Sequence, residues 1–299
     1  MKIMNKLVLI CTTFLLGMPG VVRARGHLQA VRCQSTVARM LSPGDQLHKK
    51  GRLLCAQDRL QPAPNQQPIV VCHNHPKILR GGKDKVASHC SPDPKEEQTR
   101  ERFKYLKGRG SIIEKGQPSL IRPFGVMGLH SRPRLVWNPI QGATHYSISV
   151  EAFNGEWELI VNSDNSLSYP QIWPDMEPGN LYKFTIFAYK DKKIISSDTS
   201  KIILLPKKKM ELVNEAVALA RQLPLSSIEE AIELDAIYMS QKLLHNSIGV
   251  LESLRESGQS NPQLDRLLVD RYIQSGQPEL ADPILKELQL PTKIKLLQK

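Results

Sequence analysis

At 299 residues the chain is long enough for two or three domains. With 40% hydrophobic and 23% charged residues it has an ordinary globular composition, which argues against long disorder. The formal net charge of +12 is unevenly spread: Arg25 to Lys209 holds 29 basic against 16 acidic residues, whereas Met210 to Leu290 holds 6 against 13. A basic front half is joined to an acidic rear half.

Lys2 and Lys6 precede an apolar run from Leu7 to Leu16, which Gly17, Pro19 and Gly20 break before Val22-Arg23-Ala24. This order predicts a secretory signal peptide over residues 1–24. The competing reading, an uncleaved anchor, needs roughly 20 apolar residues, and the run is much shorter. Cys11 lies inside the run rather than after a small residue at its end, which argues against lipidation. The chain is therefore expected in the periplasm or outside the cell, with no membrane span after cleavage.

Four cysteines then remain: Cys33, Cys55, Cys72 and Cys90. An even set in an exported chain predicts two disulfides. Three connectivities are open, and the sequential one, Cys33 to Cys55 and Cys72 to Cys90, closes the shortest loops. The alternative is a zinc site from Cys72, His75, His89 and Cys90, but oxidation removes the thiolates it needs and the spacing matches no standard finger. No Cys-x-x-Cys-His occurs to attach haem, so no cofactor is expected.

Residues 25–120 carry short apolar runs, Leu53-Leu54 and Ile69-Val70-Val71, between Pro, Gly and Asp clusters, which predicts a small disulfide-bonded β-rich unit. The phrase Leu41 to Leu54, with its Gly-Asp turn, later Gly and apolar strand, resembles the opening of FecR-type periplasmic domains. From Lys77 to Arg109 ten basic residues face five acidic ones. That stretch reads either as a solvated linker, with a short helix over Glu96 to Leu106, or as a polyanion-binding face. No nucleic-acid motif accompanies it, so no nucleic-acid partner is expected.

In residues 121–206 apolar positions alternate through Tyr146, Ile148 and Val150 and again through Tyr182, Phe184, Ile186 and Ala188, the period of half-buried strands. Met176-x-Pro178-Gly179-x-x-Tyr182 places a Pro-Gly turn before a tyrosine that opens a long strand, as in the tyrosine corner of β-sandwiches. With Trp137 on an earlier strand, the segment resembles a fibronectin type III domain. That resemblance implies that Trp137 is a core residue. Trp157 and Trp173 read as core or edge packing, or as a sugar-stacking surface.

The period changes to helical in residues 207–299, and Ser226-x-x-Glu229 forms a capping box. Leu234, Tyr238, Ser247, Leu251 and Leu254 are matched 34 residues later by Leu268, Tyr272, Ala281, Leu285 and Leu288. The segment resembles tetratricopeptide repeats. It departs from them in having Asp235 and Val269 at the usual glycine and Lys242 opposite Gly276. The resemblance implies a concave face formed by Glu229, Ile232, Ala236, Met239, Gln263, Arg266, Asp270 and Ile273. Such a face suits a basic amphipathic peptide or helix, unless it packs against the sandwich instead.

The expected fold is multidomain β plus α: the β-rich unit, a fibronectin type III-like sandwich and tetratricopeptide-like helices. No Gly-x-Ser-x-Gly, His-Glu-x-x-His or phosphate-binding glycine loop occurs, and the sequence predicts a chain that is not an enzyme. The expected function is binding or scaffolding in a bacterial cell envelope, with the helices engaging a protein. The alternative is a binder of acidic envelope polysaccharide through the basic front half.

Overall fold

The computed structural model describes residues 36–91, 116–128, 131–162 and 164–289. The described residues belong to one compact unit, Ser35–Lys299. The signal peptide expected over residues 1–24, Cys33, the helix expected over Glu96 to Leu106 and the tail from Leu290 lie outside the described residues. The rest is a mixed α+β structure.

The front of the described chain is a four-stranded antiparallel sheet in the order β2-β1-β4-β5, from β1 (Thr36–Met40), β2 (Leu53–Cys55), β4 (Ile69–Cys72) and β5 (Lys77–Arg80). A two-stranded ribbon, β3 (Arg59–Leu60) with β6 (Asp84–Lys85), and the short helix α1 (Val86–Cys90) complete it. Cys72 and Cys90 are joined in a disulfide, as the sequential pairing requires. Cys55 is likewise disulfide-bonded. Every residue of β4 is buried, because the strand is covered on both sides. Val70 and Cys72 pack with Met40, Leu54 and Val86, while Ile69 and Val71 pack with Leu41 and the helices. An unbroken apolar run is the sequence expression of two-sided burial.

Next come two sheets around one core. The larger has the order β11-β10-β13-β14-β8, from β8 (Gly125–Met127), β10 (His145–Ala152), β11 (Gly155–Val161), β13 (Leu181–Lys190) and β14 (Lys193–Leu204). Its pairings are antiparallel except β14 with β8, which is parallel. The smaller has the order β12-β9-β7, from β7 (Leu120–Arg122), β9 (Arg134–Trp137) and β12 (Ser166–Ser168).

The alternation read from the sequence sets the inward residues. Tyr146, Ile148, Val150, Tyr182, Phe184, Ile186 and Ala188 all lie in the shared core with Leu135 and Trp137. Trp137 and Tyr146 meet edge to face, ring centres 5.5 Å apart. The Tyr182 hydroxyl accepts a hydrogen bond from the Glu177 N–H at 2.6 Å, so the turn is closed onto the tyrosine as the corner motif requires. Tyr146 does the same for the Ile140 N–H at 2.8 Å.

Helices follow with almost no linker. The Leu205 N–H bonds to the Met127 carbonyl at 2.8 Å, and after Pro206 the chain enters α2 (Lys207–Arg221). Then come α3 (Ser227–Met239), α4 (Leu244–Glu256), α5 (Pro262–Ser275) and α6 (Pro278–Glu287). The capping box at Ser226 and Glu229 is present with both reciprocal bonds. Asn261 caps α5 by accepting from the Leu264 N–H at 2.8 Å, with Pro262 in the first turn.

The 34-residue register is expressed in burial. Leu234 and Leu268, Tyr238 and Tyr272, Ser247 and Ala281, and Leu251 and Leu285 are all buried pairs. Lys242 takes the left-handed conformation, φ 60°, as Gly276 does at φ 78°, so the backbone repeats where the glycine does not. A side chain there costs roughly 1–2 kcal/mol relative to glycine.

Tyr182→Phe keeps the ring in the core and removes the acceptor of the Glu177 N–H. Stability is expected to fall by about 1 kcal/mol with the fold retained, measured as a shift of the urea midpoint. An unchanged midpoint would mean the corner bond contributes nothing.

Candidate protein-binding surface and the clamp behind it

The helical layer is attached to both β parts through charged side chains that the sequence separates widely. At the front sheet, Glu233 of α3 is only 1% exposed. Arg39 of β1 donates from Nε to its Oε2 at 2.8 Å, and the His73 Nε2 lies 3.2 Å from each carboxylate oxygen. The other arm of Arg39 donates to the Gly51 carbonyl at 3.0 Å. His73 follows β4 directly, and its backbone N–H bonds to the Val37 carbonyl at 2.8 Å. Its neighbour Cys72 is the residue tied to Cys90. Two rigid strands therefore fix the partners of one buried carboxylate. Arg80 adds an ion pair to Glu215 of α2 at the solvent edge.

Toward the central sheets, Arg122 donates to both oxygens of Glu252 of α4, at 2.7 and 2.6 Å, and the Tyr272 hydroxyl donates to Glu252 at 2.7 Å. Burial first, and then this bond to a carboxylate, push the Tyr272 hydroxyl above the ordinary tyrosine range. The Gln277 side-chain amide reaches the Ile121 carbonyl at 3.2 Å, and Phe124 meets His245 edge to face. Gly128 lets the turn between α3 and α4 come close: a Cβ there would stand 2.9 Å from the Leu243 Cδ1.

Within the layer, Asp235 joins three helices. Arg271 of α5 grips it with two bonds, at 2.8 and 2.6 Å, and the Ser247 hydroxyl of α4 donates to it. Asp235 stands where the repeat pattern has glycine, so the departure seen in the sequence is the site of a buried ion pair. A sequence signal for both pairs exists: Glu233 and Asp235 are the only charges in Ala231–Tyr238, an otherwise apolar stretch.

The eight residues of the expected concave face are divided by this clamp. Ala236 is buried in one cluster with Leu41, Ile69, Val71 and Ile78 of the front sheet, and Ile232 and Met239 are half-buried. The Glu229 carboxylate is held by the Ser226 N–H and hydroxyl, at 3.0 and 2.8 Å, which keep it below the usual carboxylate range. On α5 the equivalent positions Gln263, Arg266 and Asp270 are exposed, and Ile273 is 37% exposed. On α3 Ala236 packs with the front sheet and Glu229 is exposed, while all four α5 positions are exposed.

Other candidate sites resolve as follows. Cys72 and Cys90 are in the disulfide, so the zinc set with His75 and His89 has lost its thiolates. Among the described residues, no group of three or more His, Cys, Asp or Glu is placed to hold a metal ion. Trp137 and Trp173 are core residues, the latter packed edge to face with Tyr169. Trp157 is partly buried against the same core. Among the described residues no helix is long and apolar enough to cross a membrane. The disulfide is compatible with an exported chain.

No family model matches the chain, and no curated protein matches it. Among solved structures it matches a β-1,2-glucanase from Parabacteroides distasonis at 9% identity and a TM-score of 0.23, over 64% of this chain and 27% of that one. The chain thus spans about a quarter of that enzyme's length. On this finding the expectation that the chain is not an enzyme is withdrawn.

Removing Arg39 strands a buried carboxylate, so Arg39→Met is expected to lower stability by about 3–5 kcal/mol. Arg80→Ala, at a solvent-exposed pair, is expected to cost less than about 1 kcal/mol. Urea unfolding of the two variants checks the contrast, and equal small losses would contradict it.

Proposed function

We propose that the chain is an exported envelope protein that engages a protein or peptide partner through the open half of its helical face. Export is supported by the expected leader over residues 1–24 and by the Cys72–Cys90 disulfide. The central sheets are read as fibronectin type III-like, supported by the strand order, the core Trp137 and the Tyr182 corner. The helices are read as two tetratricopeptide-like repeats, supported by burial at matched positions 34 residues apart. In this reading the central sheets act as a rigid spacer, since β14 passes into α2 through Leu205 and Pro206 alone.

The observation that carries the function is the division of the face. The front sheet covers Ala236, while Gln263, Arg266, Asp270 and Ile273 stay exposed along one side of α5. Positions three, four and three residues apart present an apolar anchor with mixed charges, the recognition chemistry of an amphipathic helix or peptide. The rear half is acidic overall, which favours a basic ligand. The polysaccharide alternative is weaker because Arg39 and Arg80 of the basic half are already engaged by Glu233 and Glu215.

Capture from an envelope extract by the full chain is the test, compared with Ile273→Asp combined with Asp270→Lys. The variant is expected to hold its partner at least about fivefold more weakly, since loss of an interface anchor exceeds about 1 kcal/mol. A partner captured equally by both chains would place binding elsewhere.

A further inference from the structure

The outer face of the larger central sheet is polar in its middle; exposed Leu181 lies opposite exposed Ile203 where β13 begins, and a second apolar group, flanked by lysines, lies where β14 begins. Cross-strand partners show the pattern. Thr185 lies opposite Thr199 and Ser149, and Lys183 pairs with Glu151, at the end where β13 begins. At the other end Phe187 lies opposite Ser147, which lies opposite Ile160, and Tyr189 lies between His145 and Ile194. The His145 and Tyr189 rings stack with centres 4.7 Å apart. Ile160 is 67% exposed and Ile194 48%. Register shifts between Ala188 and Tyr189, so Ile195 is an extra residue on β14 and is exposed as well. The turn beyond carries Lys190, Lys192 and Lys193 against a single acid, Asp191.

This end lies at the start of β14, opposite the end from which the chain enters α2. The Ser196 hydroxyl donates to the Gly116 carbonyl at 2.7 Å, so the chain enters the described structure beside the same tip. The fourteen residues leading to Gly116, from Arg102 to Lys115, hold five basic residues against Glu114 alone.

We propose that this lysine-ringed apolar tip seats on the surface of an anionic lipid bilayer. Lysines at a hairpin turn are drawn to a negative headgroup layer, and isoleucines beside them enter the boundary with the acyl chains. An acidic polymer would use the lysines but gain nothing from exposed Ile160, Ile194 and Ile195. The combination of clustered positive charge with bare aliphatic side chains is what selects a bilayer.

The test is flotation of the full chain with vesicles of phosphatidylglycerol mixed into phosphatidylcholine, against phosphatidylcholine alone. Lys190→Glu with Lys192→Glu and Lys193→Glu is compared with a control that makes the same charge change at exposed Lys207, Lys208 and Lys209. The wild type and both variants share residues 1–24, so differences report the tip. The tip reversal is expected to lower affinity for anionic vesicles about tenfold or more, and the control by about twofold at most. Ile160→Ser with Ile194→Ser is expected to lower it several-fold (~3 or more), with the melting temperature of the protein unchanged. Equal losses in tip and control variants, or no preference for anionic vesicles, would overturn the proposal. Loss in the lysine variant without loss in the isoleucine variant would also overturn it, since charge alone would then account for the binding.

Discussion

The arrangement of this molecule depends on one carboxylate taken out of water. Glu233 is buried on α3, and a buried charge costs several kcal/mol unless its partners are already in place. Arg39 and His73 are in place because β1 and β4 hold them, and β4 is tied at Cys72 to Cys90. The pair works less as a source of stability than as a register device: α3 packs on the front sheet only where the carboxylate meets both partners. Ala236 is thereby covered, while Gln263, Arg266, Asp270 and Ile273 of α5 stay exposed.

A second fixed point lies at Glu252, where Arg122 and Tyr272 converge. Between the two, Asp235 and Arg271 lock α3 to α5. The helices therefore bridge the two β parts. Ser35–Lys299 is one unit by its internal contacts. The division of charge between the halves has a structural use, since basic side chains of the front meet acidic side chains of the rear at Arg39, Arg80 and Arg122.

What was legible in the sequence was periodic or local. Strand alternation through Tyr182 to Ala188 and the Ser226 to Glu229 box appear at the expected residues, and four of the five pairs matched at a spacing of 34 are buried. Trp173 stayed undecided between core and surface because it lies in no strand and its burial depends on Tyr169 and the closing sheets. The clamp was not legible residue by residue. Glu233 and Arg39 are 194 positions apart, and a glutamate in a helix ordinarily belongs to its solvated side. The bulge at Ile195, which exposes a second isoleucine at the tip, likewise depends on strand pairing that composition does not encode.

The central claim is that the front sheet and the helical layer open together because they share a buried charge. Native-state hydrogen exchange of the full chain measures this directly. Amides of β1 and β4 and those of α3 are expected to exchange through one common opening, with closely matched free energies that fall together in Arg39→Met. A front sheet that opens at much lower free energy than α3, and an α3 indifferent to Arg39→Met, would contradict it.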